Sequence, residues 1–300
     1  MKTQDAEVRV NEPSARTRNR LTDVFKYREL LTNLVRKELK VKYKNSVLGF
    51  VWSMLNPALY LIIFYIVFTY FLGAAIPKFA IYLLSGLLGW NLWSASLGGS
   101  VASLLGNANL VTKVYFPREI LPLSTIGASL MHFFFQFGVL LIALVIFRHP
   151  VGPEALILVP TALVVELVLI VGVSLILSVL NVYFRDVGHL LELLLLAWFW
   201  MTPIVYPIAF PQERLGDVSP LLFRIYLLNP MTSIVLAFQR GIYRDINPVD
   251  AKGTVQHILI DAPLSWYMGH LAVVGVAAVV LVAVGWSIFR RLESRLAEEL

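Results

Sequence analysis

Between two long apolar stretches lies GNANLVTKVYFPRE, residues 106–119, a short polar segment carrying Lys113, Tyr115, Phe116, Pro117, Arg118 and Glu119. Cations, an acid and aromatic rings crowded together suit the docking of a soluble partner through charge, hydrogen bonds and ring contacts. Such a segment finds no partners for its polar groups in hydrocarbon, so it has to emerge at a membrane face. Asn109 or Thr112 is placed to start a short helix, and Pro117 pushes Phe116 away from the helical region and stops it. In isolation the same segment also fits a plain connector between two spans.

A second group of residues is a candidate channel lining. Trp52, Tyr60, Trp90, Trp93, Trp198, Phe199, Trp200 and Tyr206 sit in apolar stretches, where flat aromatic faces could line a passage. An interfacial aromatic belt accounts for rings near span ends. Trp198 and Trp200 are expected mid-span, where a belt does not reach, and Trp90 and Trp93 stand about one helical turn apart. Two ionisable residues, His132 and Glu166, fall about midway along neighbouring apolar stretches. Adjacent antiparallel helices would hold them at similar depth, and buried ionisable groups usually have a partner. A structural hydrogen bond, a substrate contact and proton coupling are all open for this pair.

Other chemistry is missing from the sequence. Gly-Lys never occurs as a dipeptide, so there is no P-loop to cradle a nucleotide. HExxH and GxSxG motifs are absent. The five histidines are scattered and there is no cysteine, so no metal site and no disulfide are expected. The short polar breaks leave little room for a donor-sugar site, which argues against an enzyme. No cofactor is expected in this chain.

The elements that must position these groups follow from composition. Of 300 residues, 58% are apolar and 15% charged, with mean hydropathy +0.74, and several runs are long enough to cross a bilayer. The expected fold is all-α, a polytopic membrane domain of six spans at residues 48–72, 79–105, 120–147, 155–183, 190–210 and 264–289. Asn56 and Pro57 should kink the first span, and Pro203 and Pro207 the fifth. The second span is rich in Gly and Ser, which suits close helix packing. Within residues 211–263, apolar pieces divide at Asn229–Pro230, an N-cap followed by a first-turn proline. Both pieces are too short to span and read as re-entrant or interfacial helices of an outer gate.

Residues 1–47 hold 12 Lys/Arg and 6 Asp/Glu, so the whole net charge of +6 precedes the first span. Residues 1–20 are expected to be disordered, and residues 21–47 to form an amphipathic helix, capped by Thr22 or Asp23, along the cytoplasmic membrane surface. Basic flanks stay inside, which puts the N-terminus, residues 106–119, residues 184–189 and the tail 290–300 in the cytoplasm.

Several ordered segments resemble the permease subunits of ABC transporters that export polysaccharides, O-antigens and teichoic acids: RKELKVKYKNSVLGFVWSMLNPALY at residues 36–60, LVTKVYFPREILPLS at 110–124, YFRDVGH at 183–189, MTPIVYP at 201–207, and LNPMT and QRGIY in the outer segment. The resemblance covers residues 22–290. It implies a homodimeric, channel-forming subunit in a bacterial cytoplasmic membrane that moves a lipid-linked polysaccharide. Two copies of a separate ATPase would bind ATP and Mg. It also implies that Tyr27, Arg28, Glu29, Lys113, Tyr115, Phe116, Pro117, Arg118, Glu119, Arg185 and Asp186 lie where that ATPase docks. Asn56, Pro57, Pro203, Pro207, Asn229 and Pro230 would shape the gate. An ATP-independent transporter or a membrane-embedded glycan-processing enzyme is the alternative class, distinguished by the lack of an ATPase partner.

Overall fold

A computed structural model describes residues 26–43, 76–114, 116–244 and 257–293, with scattered positions between 55 and 71 and Glu299 besides. Trp52, Asn56, Pro57, Tyr60 and Tyr115 lie outside the described residues, as do the N-terminal segment 1–20, Thr22, Asp23 and most of the first expected span. Among the described residues the fold is all-α: α1 (Arg28–Tyr43), α2 (Phe79–Gly106), α3 (Ala108–Lys113), α4 (Ile120–Ile146), α5 (Ala155–Tyr183), α6 (Val187–Trp200), α7 (Ala209–Val218), α8 (Pro220–Leu227), α9 (Pro230–Ile242) and α10 (Leu264–Leu292).

The central helix is α2. Eighteen of its 28 residues are buried, and it packs against α4, α5 and α9. Its small residues allow this, as expected from the sequence: a Cβ on Gly99 would lie 3.2 Å from Thr125, and Ser100 and Thr125 hydroxyls meet at 3.0 Å. Among the described residues α4, α5 and α10 are long and apolar enough to cross a membrane, which marks a multi-pass membrane protein. Serine and glycine keep α2, of similar length, out of that set.

The closest helix pair is α5 with α10. A Cβ on Gly172 would fall 2.7 Å from the backbone nitrogen of Val282, and one on Gly285 would fall 2.7 Å from the Gly172 carbonyl oxygen. Two glycines facing each other let the backbones touch, the means by which helices associate where no hydrophobic drive separates them from lipid.

The fifth expected span is not one helix. It ends at Trp200, and residues 201–207 are non-helical before α7 starts at Ala209. At 14 residues, α6 is about 21 Å long, short of the roughly 30 Å hydrocarbon core. Pro203 and Pro207 supply no N–H and clash with the preceding turn, so they break the helix where a kink was expected. The two short helices expected on either side of Asn229–Pro230 do form. α8 and α9 meet at an 82° bend, Asn229 and Ser219 cap them with their side chains, and proline follows each cap. Eleven of the 13 residues of α9 are buried and none of α8 is.

The far end of α9 is pinned as well. Tyr243 donates to the Pro77 carbonyl at 2.7 Å, and Arg240 reaches Glu154 at the start of α5 at 3.1 Å. His149, in the α4–α5 turn, donates through Nε2 to the Ile242 carbonyl at 3.0 Å. Burial pushes the His149 imidazole below its usual range, with Lys78 and Arg244 adding to the effect.

Candidate functional site

Two sites stand out: a polar end where four elements are tied together, and a proline break in the interior. At the polar end α3 is a short helix, as expected, but it starts at Ala108 after Asn107 rather than at Asn109 or Thr112, and it ends at Lys113 rather than at the proline. A compact apolar cluster lies beneath it, with Leu34, Val111, Phe116, Ile120, Leu121, Val179 and Phe289 buried together. Tyr27, Leu30 and Leu31 pack on the same cluster. The apolar face of α1 therefore rests on protein, chiefly α4. A Cβ on Gly127 would come within 2.8 Å of Val35, so α1 sits close.

Hydrogen bonds complete the plate. Lys37 donates to Asn107 at 2.6 Å, joining α1 to the head of α3. Asn181 donates to the Val101 carbonyl at 2.9 Å and accepts from the Gly188 N–H at 3.1 Å, fixing the break at residues 184–186 against α2. Arg118 donates to the Glu293 carbonyl, and Tyr183 to that of Leu292 at 3.4 Å, so the last turn of α10 is held from two sides. Unpaired carbonyls at a helix C-terminus are natural acceptors for such donors.

The candidates at this end divide accordingly. Arg28, Glu29, Lys113, Arg185 and Asp186 are exposed, and Tyr27 and Pro117 are half-buried. Phe116 and Glu119 are 5% and 1% exposed, so neither offers a surface to a partner: Phe116 fills the cluster and Glu119 stands at the N-cap of α4. Arg118 is partly buried and engaged within the chain. Asn109 and Thr112, read from the sequence only as candidate helix starts, form the exposed edge with Lys113 and Val114. Val114 was not among the candidates, and its 53% exposure is set by the fold and not by the sequence.

At the proline break several of the freed backbone carbonyls find donors. Tyr206 donates to the Trp200 carbonyl at 2.7 Å, and Thr202 to that of Trp198 at 2.9 Å. Gln239 donates to the Pro203 carbonyl at 3.1 Å, and Tyr82 to that of Tyr206 at 2.7 Å. Asn229 is the hub. Its Oδ1 accepts from Trp198 Nε1 (2.7 Å) and the Met231 N–H (3.0 Å), while its Nδ2 donates to Thr202 Oγ1 (3.2 Å) and the Met201 carbonyl (3.4 Å). Non-helical backbone in an apolar interior needs such partners for its polar groups. Tyr82 and Gln239 were not among the candidates; a broken helix tells the reader that donors are needed but not which helix brings them.

The aromatic candidates are split by the same geometry. Trp90 and Trp93 are buried at 6% and 0% exposure and pack edge-on against Phe199 and Trp198, at 5.5 and 5.4 Å between centroids. They form a seam between α2 and α6, because α2 is central, and present no face inside this protomer. Trp198 and Trp200 sit at the C-terminal end of α6 rather than mid-helix, and Trp200 is exposed. Tyr206 lies beside Tyr226, hydroxyls 3.3 Å apart, and Tyr226 stacks on Phe223.

Residues 29–243 match the family described as ABC-2 type transporter. The chain belongs to that family. It is similar to the O-antigen export system permease protein of Myxococcus xanthus, 32% identical over 248 residues, or 81% of this chain and 93% of that one. An O-antigen export system permease protein of Klebsiella pneumoniae is 30% identical over 273 residues, 91% of this chain and 95% of its own. The polysialic acid transport protein of Escherichia coli is 25% identical over 207 residues, 66% of this chain and 75% of that one. The family match runs from α1 to the end of α9 and so takes in both the polar end and the proline break.

Within this ABC-2 chain, Glu166 is fully buried on α5, with its carboxylate against the Gly89 position of α2. Neither oxygen has a hydrogen-bond partner among the described residues, so no bond joins it to His132. His132 packs edge-on to Phe135 on its own helix. In a double-mutant cycle, Glu166→Gln and His132→Ala are expected to add to within about 0.5 kcal/mol, as non-touching sites do. Chemical unfolding of the two single variants and the double variant checks this. Among the described residues no group of His, Asp and Glu could hold a metal.

Proposed function

We propose that this chain is the membrane-spanning, channel-forming subunit of an ATP-driven exporter that moves a lipid-linked polysaccharide across a bacterial cytoplasmic membrane. The observation that carries the proposal is the near full-length likeness to export permeases, two of them named for O-antigen. Nothing in the sequence cradles a nucleotide, so ATP and Mg belong to a separate ATPase subunit, two copies of which would serve two copies of this chain. Six spans with both termini in the cytoplasm suit the basic N-terminus and the polar end described above.

In this reading the ATPase docks on the exposed edge of the polar end, at Asn109, Thr112, Lys113 and Val114, flanked by Arg28, Glu29, Arg185 and Asp186. Pro117 stiffens the edge, and Arg118 passes its movement to α10 through the Glu293 carbonyl at the end of that helix. Pro203, Pro207, Asn229 and Pro230 form the joint between α6 and the re-entrant pair. Trp198, Phe199, Trp200 and Tyr206 line the glycan path beside that joint, where sugar faces can stack. Glu119 and Phe116 support the loop from below.

The Arg118→Ala variant tests the coupling. Arg118 is preferred to a double change with Glu119, since burial of Glu119 would add a folding defect. The expected result is a normal amount of protein in the membrane, ATP hydrolysis retained, and export lowered at least tenfold. Export at the normal rate would mean that the segment is only a connector.

A further inference from the structure

One surface lies outside the family match and takes no part in the reading above. The last two turns of α10 carry Ala283, Trp286, Ser287, Arg290 and Arg291 along an open hollow of about 430 Å³. Their spacing is i, i+3, i+4, i+7 and i+8, a single continuous stripe of a helix. The opposite side of these turns is spoken for, since Gly285 and Phe289 are buried and Gly285 lies against α5.

The depth of the stripe follows from length. At 29 residues α10 is about 43 Å long and outruns the roughly 30 Å hydrocarbon core. The last turn therefore reaches headgroup level, with Trp286 one turn deeper, at the level preferred by interfacial aromatics. Arg290 and Arg291 are exposed, and neither forms an ion pair or side-chain hydrogen bond among the described residues. The helix end that presents them is fixed, because Arg118 and Tyr183 hold the carbonyls of Glu293 and Leu292. Arginines that merely anchor a span need no hollow beside them. Here a space in the size range of small-ligand sites adjoins two unengaged guanidinium groups and a hydroxyl.

We infer that this face of α10 binds the headgroup of an anionic phospholipid of the surrounding bilayer. Arg290 and Arg291 receive the phosphate, Ser287 donates a further hydrogen bond, and Trp286 and Ala283 bed the first carbons of the acyl chains. Guanidinium forks match phosphate geometry, and charge complementarity selects the anionic lipid over a zwitterionic one. Each basic residue near the membrane surface contributes on the order of fivefold in affinity for anionic lipid, so the pair contributes about thirtyfold.

Native mass spectrometry of the full chain, released from phosphatidylcholine nanodiscs doped with phosphatidylglycerol, reads this directly. The wild type should retain phosphatidylglycerol in preference to phosphatidylcholine. Arg290→Gln with Arg291→Gln should lower that retention about thirtyfold, while Arg290→Lys with Arg291→Lys keeps most of it. Ser287→Leu, which removes the hydroxyl, narrows the hollow and leaves both charges, should also lower it. Arg28→Gln, an exposed arginine elsewhere, should not. The inference is overturned if the double glutamine variant retains phosphatidylglycerol like the wild type, or if both lipids are held equally. Displacement of phosphatidylglycerol by millimolar inorganic phosphate or by a lipid-linked glycan would equally overturn it, since the site would then serve another anion.

Discussion

Gly172→Val is expected to leave little or no folded protein in the membrane. A Cβ at residue 172 would lie 2.7 Å from the nitrogen of Val282 and 2.8 Å from the carbonyl carbon of Leu281. Both are backbone atoms and cannot swing aside, so α10 would have to lift from α5 along its length. Even alanine here should cost about 1–3 kcal/mol, the usual penalty of overpacking, and valine more. Gly285→Ala should behave similarly, because its Cβ meets the Gly172 carbonyl at 2.7 Å. Gly269→Ala, on the same helix with open space around it, is the control and should match or slightly exceed the wild type, as alanine favours helix. Thermal unfolding in detergent, followed by size-exclusion recovery, separates the three.

Asn229→Ala should be the second severe change. It strips four hydrogen bonds from one junction and leaves Trp198 Nε1, the Met231 N–H and the Met201 carbonyl without their partner. At about 1 kcal/mol per bond, and more for any buried group left bare, the cost is roughly 2–4 kcal/mol. Asn229→Asp should recover part of this loss, since it keeps the oxygen that caps α9 and accepts from Trp198 but loses both donors. Unfolding midpoints ordered wild type, aspartate, alanine would bear this out. An alanine variant as stable as the wild type would show that the junction is held by packing alone.

The elements most legible in the sequence were those governed by local rules. The bounds of α4 and α5 follow from apolar length, and the division at Asn229–Pro230 follows from cap chemistry. The Gly/Ser richness of α2 correctly announced close packing, but not that this packing would enclose Trp90 and Trp93. Which side of a uniformly apolar helix faces protein is set by its neighbours, and hydropathy does not record it. The same gap applies to α1, whose amphipathic pattern does not announce that α4 lies beneath its apolar face. Pro203 and Pro207 marked a disturbance, yet break and kink differ only in whether distant donors exist, here Tyr82 and Gln239. At the polar end the residue types were visible, while the inward turn of Phe116 and Glu119 depended on tertiary contact.

The most direct test of the account is whether this chain moves a glycan only when joined to an ATPase. The full chain would be purified with whatever ATPase subunit accompanies it and reconstituted in vesicles loaded with a labelled lipid-linked polysaccharide. Label crossing the bilayer would be followed with and without ATP. The account predicts an accompanying ATPase and ATP-dependent translocation that stops when the P-loop lysine of that subunit is replaced. Translocation at the same rate by this chain alone, without the ATPase or ATP, would contradict it.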